Sequence, residues 1–257
     1  MSPLPGTGGV PEVLVMAGGE GRRLGALTSR TPKPMLPVNG RPVLQHILEH
    51  LRDQGVEHVF LSVRHLSHVI SDYFGDGRRL GMRIEYVVEE QALGTAGALG
   101  LLPPLSRPLL VVNGDVMTPL PLAALTAHHQ QHRAAMTVGH VEHRVTVPYG
   151  VIECGRPDVL RLREKPEVVL TVIAGVYVLA PEVVAGIHLG DVLAMPDLIE
   201  TVLGTRRVVG FALPGPWLDI GTPEAYARAD QFAAFTAAVP PQWAPSGDAV
   251  TAEKASV

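Results

Sequence analysis

The stretch MAGGEGRRLGALTSRTPKPMLPVNGRPVL, residues 16–44, follows the apolar run EVLVM and precedes a segment in which Leu44, Leu48 and Leu51 fall on one helical face. A first strand therefore hands over to a first helix through a long loop rich in glycine, arginine and proline. Two familiar phosphate loops do not fit it. The dinucleotide pattern G-x-G-x-x-G accepts Gly19 and Gly21 but meets Leu24 at its third glycine, and no G-K-[ST] follows the glycines. Glycines alone would equally serve a tight turn. The cations point further, because the N–H groups of a glycine-rich nest can hold phosphate oxygens while Arg23 and Lys33 supply charge. Pro32 and Pro34 bracket Lys33, and their restricted dihedrals set the direction of its side chain at low entropic cost.

Outward from this loop, apolar strand-like runs alternate with helical patterns: a helix over residues 42–54, HVFLSV, a helix over 66–74, MRIEYVVE, GTAGALGLL and PLLVVNGD. Such βαβ alternation predicts a doubly wound, mostly parallel α/β sheet covered by helices. Ligands in these sheets bind beyond the carboxyl ends of the strands. The glycine-rich loop, Glu89 and Asp115 all fall at such ends. Residues 134–213 contain further strand-like pieces, which predicts an added mixed strand region closing one side of the site. A last helix is expected over residues 223–235. The expected organisation is one domain over residues 10–238, with disordered ends at 1–9 and 239–257, where Pro, Ser, Gly and Ala are frequent.

Composition narrows the class. With 257 residues and 46% apolar content, the chain supports one large core. A net charge of −4 without a polybasic run argues against nucleic-acid and membrane-surface partners. No apolar run reaches the roughly 18 residues a membrane span needs. Residues 1–9 lack the pattern of a signal peptide, so a cytoplasmic location is expected. Cys154 is the only cysteine, which leaves no intramolecular disulfide, and it reads as a small half-buried strand residue. The eleven histidines, including His65, His68, His128, His129 and His132, show no H-E-x-x-H spacing and read as surface residues. Eighteen arginines stand against only Lys33, Lys165 and Lys254, so a retained lysine is a candidate for a role arginine cannot fill.

The motif AGGEGRRLGALTSRTPKPMLPV resembles the signature of the sugar-1-phosphate nucleotidyltransferases, G-G-x-G-[TS]-R-L followed by P-K-P-x-x-P-V. Further matches come in the family's order: LGTAGAL from Leu93, NGD ending at Asp115, Tyr149-Gly150, EKP at 164–166, AGVYVL from Ala174 and WLDIGTPEAY from Trp217. The resemblance implies a Rossmann-like nucleotidyltransferase sheet and a Mg²⁺-dependent reaction between a nucleoside triphosphate and a sugar 1-phosphate. It implies nucleotide contacts from Ala17, Gly18, Gly19, Gly21, Arg23, Glu89, Gly94 and Thr95. Sugar-phosphate contacts would come from Tyr149, Gly150, Glu164, Lys165 and Gly175. Arg23, Lys33, Asp115, Lys165 and Asp219 would be catalytic, with Asp115 and Asp219 holding the metal. The nucleophile of this reaction is already an anion, so cations and hard oxygen ligands suffice and no general base is needed.

The base and the sugar are read from two positions. The family often carries glutamine five residues before the glycine of the L-G-T motif when the base is uracil or thymine. Here that residue is Glu89, an acceptor only, and guanine offers adjacent N1 and N2 donors. EEQALGTAGAL also resembles the branch that transfers guanylyl groups to mannose or heptose 1-phosphate. On the sugar side, the asparagine of N-A-G-[VI]-Y is replaced by Ile173, which leaves mannose, glucose and heptose open. The alternatives are UTP or dTTP with glucose 1-phosphate, a non-catalytic binder of nucleotide sugars, and a phosphocholine-type acceptor. A glycosyltransferase fits less well, since no D-x-D stands at GDV. Acyl transfer is not expected from a chain of this length. A homo-oligomer is compatible with the sequence.

Overall fold

The structure, a computed structural model, describes residues 11–231; the expected disordered ends lie outside the described residues. The first half contains β1 (Glu12–Met16), β2 (Pro37–Val38), β3 (Arg41–Pro42), α1 (Val43–Asp53), β4 (His58–Val63), α2 (Ser67–Phe74), β5 (Arg83–Val88) and α3 (Gly94–Gly97). Then come β6 (Leu109–Asn113), β7 (Val116–Met117), α4 (Leu122–Gln131), β8 (Met136–Thr146), β9 (Val151–Gly155), β10 (Asp158–Arg163) and β11 (Glu167–Leu179). The last elements are α5 (Pro181–Val184), α6 (Met195–Leu203), β12 (Val208–Ala212), β13 (Leu218–Asp219) and α7 (Pro223–Ala227).

Seven strands form one sheet in the order β12-β8-β11-β6-β1-β4-β5. Only β11 runs against the others. Successive residues of β1 feed opposite faces, as a strand must: Val13 and Val15 pack with α1, α2 and α4, whereas Leu14 packs with α5 and α6. The sheet is thus apolar on both faces and covered on both, which is why its strands lack polar alternation. The order turns at β1, since β4 and β5 lie to one side and β6 to the other. Loops leaving β1 and β6 therefore part at a switch point and leave a crevice there.

The added mixed strand region is present, with both antiparallel and parallel pairing. β8, β11 and β12 extend the main sheet, and only β9 and β10 form a separate ribbon. Beyond the bulge between Ile173 and Tyr177, β8 and β11 run on as a two-stranded arm, with Val145, Val168 and Leu170 exposed. Cys154 lies on the ribbon and is exposed, so the half-buried expectation is corrected; a two-stranded ribbon covers neither of its faces. His129 is buried against Thr137, with Nδ1 and Oγ1 2.9 Å apart. His46 is also buried, and its Nε2 meets the Val38 carbonyl at 2.8 Å. These two are not surface residues, because each finds a polar partner inside the core.

The last helix is shorter than expected. α7 spans Pro223–Ala227 and a 3₁₀ turn follows at Ala229–Gln231, while the rest of the expected helix lies outside the described residues. Thr222 caps α7 by accepting from the Ala225 N–H at 3.2 Å, and Pro223 occupies the first turn. Thr222→Ala is expected to lower stability by about 1 kcal/mol. Urea unfolding should show a lower midpoint at unchanged slope.

Candidate active site

The crevice at the switch point is a cavity of ≈ 240 Å³. Met16, Gly18 and Gly19 line it from the loop after β1, and Asn113 and Asp115 from the end of β6. The two strand ends are pinned together: the Gly114 N–H donates to the Met16 carbonyl at 2.9 Å, and a side chain at position 114 would meet that oxygen. Lys33, Pro34, Arg64, Glu89, Ala92, Gly94 and Thr95 complete the wall. Of the residues expected to contact nucleotide, Gly18, Gly19, Glu89, Gly94 and Thr95 thus share one cavity. Ala17 directly follows β1, buried, with its N–H on the Ser62 carbonyl at 2.8 Å. Gly21 has φ +64° and lies behind Lys33 rather than on the wall; a Cβ there would stand 3.1 Å from that of Lys33.

At the cavity mouth the Lys33 ammonium donates to Asp115 and, at 3.2 Å, to Asp219 Oδ1. Lys33 is buried in its Pro-bracketed 3₁₀ turn, and Thr28 and Gly21 wall its stem. The carboxylates meet because β13 pairs antiparallel with β7, setting Asp219 opposite Val116, while the Ile220 N–H donates to the Asp115 carbonyl at 3.2 Å. Trp217 anchors the approach through an Nε1–H bond to the Ala174 carbonyl at 3.0 Å. Arg23 is exposed, but its guanidinium reaches the same place: a Cβ on Gly221 would lie 2.9 Å from Arg23 Nη2 and 2.9 Å from Asp219 Oδ1.

Glu89 is buried at the end of β5. The Ser62 hydroxyl donates to its Oε1, and the Leu93 N–H donates to Oε2 at 3.4 Å. A Cβ on Gly18 would stand 2.8 Å from that Oε1, so glycine is what lets the carboxylate lie against the loop. Gly94, at φ +79°, lies against the Leu193 carbonyl, and the Thr95 hydroxyl accepts from the Met195 N–H at 2.7 Å. This turn is thereby locked onto the start of α6.

The residues expected on the sugar phosphate are gathered elsewhere. Tyr149, Gly150, Glu164 and Lys165 meet where the arm joins the ribbon, with the Lys165 N–H on the Tyr149 carbonyl at 3.2 Å. All four are exposed and none lines the cavity. Gly175, at φ +74°, is buried under Asn113, whose amide would meet a side chain there.

Sequence reading missed Arg64, Asn113 and Ser62. Arg64 follows β4 directly, so the strand-end rule could have found it; Asn113 stood inside the quoted NGD. Ser62 had no signal, being one small residue in an apolar strand. Arg64 bonds Glu20 at 2.9 Å and Arg22 bonds it at 2.6 Å. The two guanidiniums, Arg22 foremost, hold the Glu20 carboxyl down to about 2.

A sheet with its glycine-lined crevice at the turn of strand order, and an ammonium between two carboxylates at its mouth, belongs to the class of α/β proteins that handle phosphates. A family model described as nucleotidyl transferase matches residues 12–235, and the chain belongs to that family. The chain is 36% identical over 225 residues to mannose-1-phosphate guanylyltransferase of Mycobacterium tuberculosis, covering 84% of this chain and 63% of that one. It is 31% identical over 226 residues to mannose-1-phosphate guanyltransferase beta-B of Xenopus laevis, covering 84% and 62%. The chain thus spans somewhat less than two thirds of the length of these relatives. Among solved structures it is similar to HddC from Yersinia pseudotuberculosis, at TM-score 0.68 and 25% identity, covering 86% of this chain and 98% of that one.

Proposed function

We propose that the chain is a sugar-1-phosphate guanylyltransferase, joining GTP to mannose 1-phosphate and releasing pyrophosphate. The observation that carries this reading is the cavity itself. A fixed carboxylate, Glu89, lies on its wall together with Lys33 and Asp115, and Asp219 bonds the same Lys33 ammonium from outside that wall. The names of relatives at 36% and 31% identity support the choice of base and sugar. In the reaction, an oxygen of the sugar phosphate bonds to the α-phosphorus of the triphosphate. The bond from that phosphorus to the β-phosphate oxygen breaks, and the electron pair leaves with pyrophosphate. The site's work is to bring polyanions together and stabilise the charge that develops between them.

Within this reading, the N–H groups of the glycine-rich loop and the cations Arg23 and Lys33 hold the triphosphate, with Lys33 at the α-phosphate. Asp115 and Asp219 hold Mg²⁺. Two hard carboxylates fit that ion, whose remaining positions suit water and phosphate oxygens, and no larger acidic or imidazole set occurs among the described residues. When bound, the ion neutralises phosphate charge during transfer. Lys165 on the sugar phosphate, Glu164 on a sugar hydroxyl, and Tyr149, Gly150 and Gly175 as lining residues rest on the sequence motifs. A single catalytic domain over residues 10–238 and a cytoplasmic location complete the reading.

Pyrophosphate release measured across the five nucleoside triphosphates and a panel of sugar 1-phosphates tests it directly. Release with GTP and mannose 1-phosphate is the expected result. Release with UTP or dTTP alone would overturn the base, and silence throughout would overturn the reaction. Gly18→Ala provides a narrower check. The added methyl displaces the Glu89 carboxylate, so GTP affinity measured by calorimetry should fall about tenfold, roughly 1.4 kcal/mol, whereas the melting temperature moves little.

A further inference from the structure

Lys33, Asp115 and Asp219 come from three separate parts of the chain and close on one another. Lys33 is 7% exposed, its ammonium touches both carboxylates, and its stem lies against Gly21 in a turn bracketed by Pro32 and Pro34. The Arg23 guanidinium stands beside the same cluster across Gly221. The two carboxylates thus share one bonded ammonium, with a second cation nearby. A divalent ion entering between the carboxylates would come into direct contact with a fixed ammonium, and like-charge repulsion opposes its entry. The carboxylates become available only when the ammonium has another anion to bond, and a triphosphate is such an anion.

We propose that Lys33 blocks the carboxylate pair against free cations and makes the metal–triphosphate complex the ligand that this site admits. The inference rests on the reading that Asp115 and Asp219 hold the metal. It assigns Lys33 a role before the chemistry, in selecting the form of the substrate, besides its contact with the α-phosphate. The ammonium is the counter-ion of the carboxylate pair, and its transfer to phosphate uncovers the two carboxylates.

The test is binding of Mn²⁺ alone to the full chain, followed by electron paramagnetic resonance in the absence of nucleotide. Lys33→Met keeps the apolar stem and removes the charge. It is expected to bind Mn²⁺ at least about tenfold more tightly than the unchanged chain, because the nearby like charge is gone. Adding Asp219→Asn to Lys33→Met should cancel that gain. Thermal unfolding supplies a second readout, in which Mn²⁺ stabilises Lys33→Met and leaves the unchanged chain where it was. Lys33→Gln carries the same expectation should the Met variant fold poorly.

Equal Mn²⁺ affinity in the variant and the unchanged chain would overturn the proposal, as would a gain that survives Asp219→Asn. The underlying metal reading is tested separately with Mn²⁺ and GTP together. Asp115→Asn should weaken that complex. If it does while Lys33→Met shows no gain, the Lys33 inference alone fails; if Asp115→Asn leaves the complex unmoved, both fail.

Discussion

Asp115→Asn is expected to reduce turnover with GTP and mannose 1-phosphate on the order of 10³-fold, about 4 kcal/mol of transition-state stabilisation. The substitution keeps the shape of the side chain and removes its charge. The Asp115 backbone carbonyl still accepts from the Ile220 N–H, so the ladder between β7 and β13 stays in register. Lys33 retains Asp219 as a partner at 3.2 Å. The fold should therefore survive, with a melting temperature within a few degrees of the unchanged chain. Pyrophosphate release at saturating Mg²⁺, together with circular dichroism, checks both halves. Turnover close to that of the unchanged chain would remove Asp115 from the chemistry.

Glu89→Gln should change the base rather than the reaction. Ser62 donates to Oε1 of the carboxylate, so a glutamine keeps its oxygen on that side. Its amide nitrogen then replaces Oε2, which faces the Leu93 N–H and the cavity. Guanine presents donors at N1 and N2, and two donors facing one another leave both unpaired. The catalytic efficiency with GTP is expected to fall about 100-fold, roughly 3 kcal/mol at the upper end for a bidentate base contact. UTP and dTTP, which offer both a donor and an acceptor, should lose less or gain. The ratio of kcat/KM for GTP over UTP is the quantity to measure. An unchanged ratio would take Glu89 out of base selection while leaving the enzyme class in place.

Much of this site is legible before any fold is known. Gly18, Gly19, Lys33, Glu89, Gly94, Thr95 and Asp115 all stand in loops after strands or in the turn that follows, and a parallel sheet sends such loops to one edge. Ser62 was not legible, because a serine in an apolar strand is ambiguous until its partner is known. The buried histidines were misread for the same reason. His46 and His129 carry no mark of burial in the sequence, and each finds its polar partner only across the core. Cys154 was misjudged because a strand pattern does not say whether a second layer will cover it.

The amino-acid sequence by itself determined the αβ alternation, the covered parallel sheet and the loop in which glycine and cation stand together. Each of these follows from local periodicity and from residue types with narrow backbone preferences. Only the tertiary structure decided that one ammonium bridges Asp115 and Asp219, and that a hydroxyl in β4 orients Glu89. It also decided that Tyr149, Gly150, Glu164 and Lys165 stand on an arm outside the cavity. Lys33 and Asp219 are 186 residues apart, and no local propensity relates them. Their distance is set by the order of strands in the sheet and the short β7–β13 ladder, which exist only once the chain has closed on itself.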